Sequence, residues 1–572
     1  MKTVRLITIA ILSSLLALNA SGKTIYLSDY LEDGQAQTDA MPALRRALED
    51  CRSTHASKLV LPEGRVCIKK SEAWEQYQWI SNNDESLKRI AFNLDGMKNF
   101  SVEGNNTELI FTGFISPFSL VGCKNITISG ITIDYTHTFH SEGVIEAAGD
   151  GWLDLRFPDD YRCSITDGCL TISDNEWTKY EFASLLEFDP ETCSPVWNCK
   201  DYWMWDGLEA EQVSGNVYKI HKEGIKGTVG NVMVLGAAAR YCPAFFLSRS
   251  SDVTIKDVNI WHCGGMGVIA QMSRNIELDR IKILPAPGSG RVVSITADAT
   301  HFVNCGGFIH MIDCTFESQK DDATNIHGLY MVVEKIVDAQ TLLLKWHNSG
   351  QYGVDFIDKG MTLEIVNNKN MTQICRAKVK AVKKINKEYT EVTFTKPLPD
   401  GIQLSNVVAA DDEYPDVLIS GCRFANNRAR GLLIGSRGKV IIENSYFHIP
   451  GAAILFEGDG NYWFEQSGVR DVTLRGNVFE NGNYGYPTWG AACINVGSGV
   501  PERGETCYHR NIKIEGNTFR VADPRILNLY SVDGLTFTGN TIEMTDAFEP
   551  LCPADAPHFK VSSDCKNINI TE

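Results

Sequence analysis

Short runs in which apolar and polar residues alternate recur along most of the chain. "NITISGITI" from Asn125, "DVTIKDVNI" from Asp252, "NIELDRIKI" from Asn275 and "FIHMIDCTF" from Phe308 share one pattern. "DVLISGCRF" from Asp416, "KVIIENSYF" from Lys439, "DVTLRGNVF" from Asp471, "NIKIEGNTF" from Asn511 and "GLTFTGNTI" from Gly534 repeat it. Each is an alternating strand, a Gly, Asn or Asp turn, and a second short strand. Several starting positions lie 23 residues apart, as with 252 and 275, 416 and 439, or 511 and 534. A coil of this length cannot bury its apolar face alone, and stacking the coils makes a continuous core. The pattern predicts a right-handed parallel β-helix. A β-propeller explains it less well, because blades need about 40 residues or more.

Other patterns mark the ends and interruptions. "DGQAQTDAMPALRRALEDC", Asp33 to Cys51, holds an amphipathic helix with Leu44, Ala47, Leu48 and Cys51 on one face. It is placed to cover the open end of the solenoid, whose strand edges would otherwise invite aggregation. From about Ser141 to Arg240 the repeat vanishes, and it vanishes again from about Leu329 to Tyr414. Hairpin-like strands such as "NVYKIHKE", "AKVKAVKKI" and "EVTFTKPL" read as two inserted small β-barrel-like domains. The expected division is a leader over 1–22, a cap and first coils over 23–140, and an insertion over 141–240. Coils over 241–328, a second insertion over 329–414 and final coils over 415–572 complete it. A Trp/Tyr cluster at Trp197, Tyr202, Trp203 and Trp205 either binds sugar or packs the first insertion.

Composition narrows the class. The 572 residues are 43% hydrophobic with 48 glycines, which suits a long β-rich solenoid. A formal charge of −17 argues against nucleic acid and anionic membrane surfaces as partners. "MKTVRLITIAILSSLLALNASGK" has the layout of a secretory signal peptide, so export to a periplasm or medium, from a Gram-negative bacterium, is expected without membrane insertion. The 17 cysteines include Cys263, Cys305, Cys314 and Cys422 in or beside strands, where thiols pack as small hydrophobes. Cys163 with Cys169 and Cys193 with Cys199 are candidates for short bridges, but mostly free thiols are expected.

The chemistry concentrates in "CTFESQKDDATNIHG", Cys314 to Gly328. Adjacent side chains on a regular strand point to opposite faces, so Asp321 and Asp322 share a site only at a bend. Asp298, in "SITADATHF", lies 23 residues before Asp321, one common repeat away. On successive coils about 4.8 Å apart, Asp298, Asp321 and Asp322 form a three-carboxylate cluster. Clustered carboxylates shift each other's proton affinity, so one stays protonated while another stays charged. Glycoside hydrolysis needs that pair.

The β-helix with "ADATHF" and "KDDATNIHG" resembles glycoside hydrolase family 110, the exported bacterial α-1,3-galactosidases, over essentially the whole mature chain. It resembles the family 28 polygalacturonases more distantly. Thr-Ala-Asp at 296–298 and Ile-His-Gly at 326–328 depart from the motifs of that family, and no clear Arg-Ile-Lys equivalent is present. The resemblance implies exo-acting, inverting hydrolysis of terminal α-1,3-linked galactose, in blood group B-type or linear glycans. It also implies Asp321 as proton donor and Asp298 with Asp322 as the base that activates water. Asn325, His327, Gln271, Arg437 and Glu457 are candidate sugar contacts, with Trp463 or Trp489 as a stacking surface. No metal or cofactor is required, and a homo-oligomer is compatible with the sequence. The alternatives are a polygalacturonase-like hydrolase, a calcium-dependent pectate-lyase-like enzyme and a non-catalytic glycan-binding solenoid.

Overall fold

A computed structural model describes residues 22–83, 86–174, 178–497, 499–502, 506–553 and 555–571. All but the last residue of the expected leader therefore lies outside the described residues.

The alternating runs stack as parallel strands. Val253 pairs with Ile276, Ile276 with Ile309 and Ile309 with Val417. The ladder continues from Val417 to Val440, Val472, Ile512 and Leu535. All of these side chains are buried in one apolar cluster. The second short strand of each coil adds a column of rings. Phe424 stacks on Phe447 at 5.2 Å, Phe447 on Phe479 at 4.9 Å and Phe479 on Phe519 at 4.7 Å. This in-register parallel stacking is the predicted β-helix and excludes the antiparallel blades of a propeller.

Turn residues repeat as regularly as the core. Asn125, Asp252, Asn275, Asn511 and Asn567 hold left-handed backbone at the start of their strands, with φ from 53° to 59°. Further round the coil, Asn517 Oδ1 accepts from Asn477 N at 3.0 Å, and Asn540 Oδ1 accepts from Asn517 N at 2.9 Å. Buried backbone groups at this corner are thus satisfied coil by coil.

Helix α1, Met41–Ser53, buries Leu44, Ala47, Leu48 and Cys51. They join the same cluster as the coils, so the helix packs on the first strands as predicted. The first insertion carries an antiparallel sheet running from Ser141–Gly149 to Val232–Ala237. The second closes into a six-stranded barrel from Met331–Asp338 to Val407–Ala410. All 17 cysteines are free, so neither short bridge forms. Cys163 pairs across its hairpin with Ile172, and Cys169 with Thr166, which sets the two thiols at different positions.

A second, shorter parallel sheet carries the cluster of acids. Its relevant strands are β1 (Val268–Gln271), β2 (Thr300–Val303), β3 (Thr324–Leu329), β4 (Leu432–Ile434) and β5 (Ile454–Phe456). A two-residue strand β6 (Glu465–Gln466) pairs antiparallel with the end of β3.

Asn517→Ala tests the corner ladder. It leaves the buried Asn477 N–H without an acceptor, a defect of about 1–3 kcal/mol. The urea midpoint should fall by a corresponding amount; an unchanged midpoint would show that the ladder contributes nothing.

Candidate active site

β2 and β3 stack with His301 against Asn325 and Val303 against His327. The same register, carried back two residues, sets Asp298 against Asp322. The backbone agrees, since Ala299 N donates to Asp322 O at 3.0 Å. The repeat spacing had set Asp298 over Asp321; the local offset is one residue longer. Residues 320 and 321 form a bend, and it turns both neighbouring carboxylates to one side. One oxygen from each of Asp298, Asp321 and Asp322 lies within 4.8 Å of the other two.

Three arginines answer two of the acids, Asp321 and Asp322. Arg430 lies one coil beyond Asp322, because Thr324 pairs with Leu432. Its Nε and Nη2 donate to Asp322 Oδ1 and Oδ2 at 3.0 and 2.8 Å, and its backbone N donates to Oδ1 at 3.1 Å. Arg428 Nη1 donates to Asp321 Oδ1 at 3.0 Å, while its Nε is held by Asp201 of the first insertion at 2.8 Å. Arg240, on the segment leaving that insertion, donates from Nη2 to Asp321 Oδ2 at 2.6 Å.

These contacts separate the acids electrostatically. Burial opposes charge on Asp321, but Arg428 and Arg240 outweigh it and hold that carboxyl below its ordinary value. Burial and the Asp321 charge push Asp298 up to about 7. Burial also pushes Asp322 up to about 7, against the pull of Arg430. Of the two raised groups, Asp322 has both oxygens occupied by N–H donors, whereas no guanidinium bonds Asp298. Its Oδ2 instead lies 2.5 Å from His301 Nδ1. The cluster's proton therefore belongs on Asp298 in the free site. The sequence places the donated proton on Asp321; the two guanidiniums on that carboxyl favour its charged form.

The triad lies in a cavity of about 360 Å³, within the range of small-ligand sites. Asn325 and His327 line it with Glu457 and Trp463. The buried Asp459 accepts from the backbone N–H groups of Asn461 at 2.7 Å and Trp463 at 3.1 Å, which fixes the turn that presents Trp463. Trp463 is 48% exposed. Segments 238–240 and 348–350, from the first and second insertions, close the sides.

Three candidates stand elsewhere. Gln271 is buried behind the cavity wall, accepting from Ser81 N at 3.1 Å and donating to Trp79 O at 2.9 Å. It anchors the segment that brings Asn82 to the rim. Arg437 lies in a buried bidentate pair with Glu364 of the barrel at 2.8 and 2.9 Å. Burial opposes charge on Glu364, and Arg437 holds it below its ordinary value nonetheless. Arg437 thus fastens the barrel to the coils and does not line the cavity. Trp489 is buried outside the lining, with Arg428 over its ring at 5.5 Å.

Several functional groups escaped the sequence reading. Arg428 and Arg430 were legible, since "FIHMIDCTF" and "DVLISGCRF" are successive coils and the same offset carries Asp322 to Arg430. Arg240 and Glu465 stand outside the repeat and carried no signal. His301 follows Asp298 by three residues, a relation that the bends at 296, 297 and 299 make close. The exposed Trp203 and Trp205 stack at 5.9 Å on the outer side of the first insertion, not in its core.

Comparison with known proteins places this geometry. Two domain models match, "GLAA-B beta-barrel domain I" over residues 141–233 and "GLAA-B beta-barrel domain II" over 341–408. Alpha-1,3-galactosidase A of Shewanella woodyi is 33% identical, the match covering 95% of this chain and 90% of that protein. Alpha-1,3-galactosidase B of Bacteroides thetaiotaomicron is 30% identical, covering 93% and 88%. Alpha-1,3-galactosidase A of Bacteroides fragilis is 28% identical, covering 95% and 91%.

Arg437→Ala separates fastening from sugar binding. It strands the buried Glu364 carboxylate, a loss of about 3–5 kcal/mol. The urea midpoint should fall while KM for a galactoside stays unchanged. A raised KM on a fully stable protein would return Arg437 to the sugar site.

Proposed function

The chain belongs to the α-1,3-galactosidase family, and from that premise we propose that it hydrolyses terminal α-1,3-linked galactose from oligosaccharides or glycoproteins. The observation that carries the reading is the triad itself: three carboxyls, one oxygen of each within 4.8 Å of the other two, in a sugar-sized cavity. Such a cluster supplies a proton to the leaving oxygen and a base for water within one site. We assign the donated proton to Asp298, the member that holds it in the free site. Asp322, with proton affinity near neutrality, is the base, and Asp321 stays charged between Arg240 and Arg428.

Enclosure of the cavity by both insertions supports attack on a chain end over attack within a chain. Trp463 at the rim suits the apolar face of galactose, while Glu457 and Asn325 suit its hydroxyls. Both arginines that line the cavity, Arg240 and Arg430, are already paired with aspartates. A neutral sugar fits such a lining better than a uronate, which would need an unengaged cation. All four oxygens of Asp321 and Asp322 accept from guanidiniums. Calcium would need six to eight oxygen ligands, so the lyase reading is the weaker one.

The stereochemistry follows from the same pairing. The oxygens are closer than the wide gap usual for inversion and nearer the retaining spacing of about 5–5.5 Å. A covalent galactosyl ester on Asp321 would, however, strip two buried guanidiniums of their counter-charge, a heavy cost. We give the ion pairing more weight and assign water as the nucleophile, with inversion. Blood group B-type and linear Gal-α-1,3-Gal glycans are the proposed substrates. Export, with removal of the apolar leader, would bring the enzyme to them. No helix among the described residues is long and apolar enough to cross a membrane.

Galactose release from Gal-α-1,3-Gal, with α-1,4- and α-1,6-linked digalactosides as controls, tests the activity; release from neither B-type nor linear α-1,3 substrates would overturn it. kcat/KM should fall as pH rises above about 7, because a donor with raised affinity is loaded only below that value. An activity that climbs through this range would contradict a donor of that affinity. Asp298→Asn should lose about 100-fold or more on Gal-α-1,3-Gal but far less on α-galactosyl fluoride, whose leaving group needs no proton. The reverse pattern, with the fluoride spared only in Asp321→Asn, would restore Asp321 as the donor.

A further inference from the structure

Two histidines behind the triad form an unbroken chain of contacts. Asp298 Oδ2 lies 2.5 Å from His301 Nδ1, and His301 Nε2 lies 2.9 Å from His327 Nε2. His327 Nδ1 lies 2.8 Å from Gly328 O. Beyond His327 Nε2, at 3.6 Å, stands Glu465 Oε1. Asp298, His301 and His327 are 3%, 1% and 5% exposed, so bulk water does not set their protonation.

Hydrogen-bond direction fixes the protons. A carbonyl only accepts, so His327 Nδ1 carries a proton. A neutral imidazole has one, which leaves His327 Nε2 bare. Two ring nitrogens at 2.9 Å need one proton between them, and it must then sit on His301 Nε2. His301 Nδ1 is therefore bare, and its short contact with Asp298 is donated by a protonated carboxyl. Burial supports neutral rings: it lowers the proton affinity of both, that of His301 to about 3.

We propose that Asp298, His301 and His327 form a proton relay that ends beside Glu465, through which Asp298 gives up and regains its proton. Proposed function supplies the context, and the relay stands on the contacts. The step balances. The Asp298 O–H bond breaks as an N–H bond forms at His301 Nδ1. The His301 Nε2–H bond breaks as an N–H bond forms at His327 Nε2. The products are an Asp298 carboxylate, a neutral His301 and a His327 imidazolium facing Glu465. Asn82 Nδ2 lies 3.3 Å from His301 Nε2, at the edge of the same contact.

Charged groups flank both ends of the chain, and burial opposes a lasting charge on either ring. Asp321, Arg240, Arg430 and Arg428 act on Asp298, and Arg240 and Asp321 act on His301. Glu465 is the charge that favours a proton on His327, with His301 opposing. Glu465 itself is held near His327 by Asn325, whose Nδ2 donates to Oε2 at 3.4 Å. Burial raises the proton affinity of Glu465, with His327 and Asn325 opposing it, Asp459 adding to it and Arg430 opposing it. In each turnover one carboxyl of the triad releases a proton and another gains one. Run in reverse, the same two transfers return the proton from His327 to Asp298.

Nitrogen-15 NMR of the histidine-labelled, substrate-free protein tests the relay apart from the enzyme's activity. The expected result is His301 as the Nε2–H tautomer and His327 as the Nδ1–H tautomer, both neutral at pH 6. His301 found as the Nδ1–H tautomer or as an imidazolium would overturn the resting arrangement. His327→Gln should lower kcat on Gal-α-1,3-Gal by about 100-fold, at the low end for a positioned proton-transfer group, with KM little changed and partial rescue by imidazole. A raised KM at unchanged kcat would make His327 a sugar contact and end the relay. Tautomers as expected in a protein that releases no galactose would refute the substrate and leave the relay standing.

Discussion

Everything at this site depends on the in-register stacking of coils. Parallel strands repeat at about 4.8 Å, and buried aliphatic columns forbid a slip of one residue, which would turn each core side chain outward. The outward residues inherit that register. Asp298, Asp322 and Arg430 thus occupy one position on three successive coils, fixed by core residues that never touch substrate. A single bend at 320–321 adds Asp321 to the column.

Such a stack concentrates charge, and the fold answers with charge. Three buried carboxylates so close together would expel their protons only at great cost. Arg430 comes from the next coil, Arg428 from the same loop, and Arg240 from the exit of the first insertion. That insertion also supplies Asp201, which grips the far side of Arg428 at 2.8 Å. The insertions are therefore part of the electrostatics as well as the walls. The second one is fastened by Arg437 and Glu364, and it delivers the 348–350 segment to the cavity.

The β-helix, the capping helix and the aspartate cluster were legible because each rests on a local period: alternation in strands, a helical face, a repeat length. The finer geometry was not, and the reason is specific. Arg274 pairs with Gly306 but Ile276 with Ile309, so the chain carries one extra residue beside Gly307, between Asp298 and the aspartate pair. A fixed spacing then put Asp298 over Asp321 instead of Asp322. Gln271 and Arg437 occupied the expected post-strand positions, but Gln271 faces the 79–81 segment and Arg437 the second insertion, not the cavity. Which acid holds the proton depended on Arg240 and His301, and no periodicity points to either.

The claim that a water molecule, not an aspartate, attacks the sugar rests on Asp321 and Asp322 held as counter-charges to three arginines. A proton NMR time course on purified protein with Gal-α-1,3-Gal and EDTA tests it most directly. β-Galactose should appear first, before mutarotation, with no calcium required. Early α-galactose would mean that one aspartate leaves its arginines to form a covalent intermediate, and the electrostatic reading of the site would be wrong.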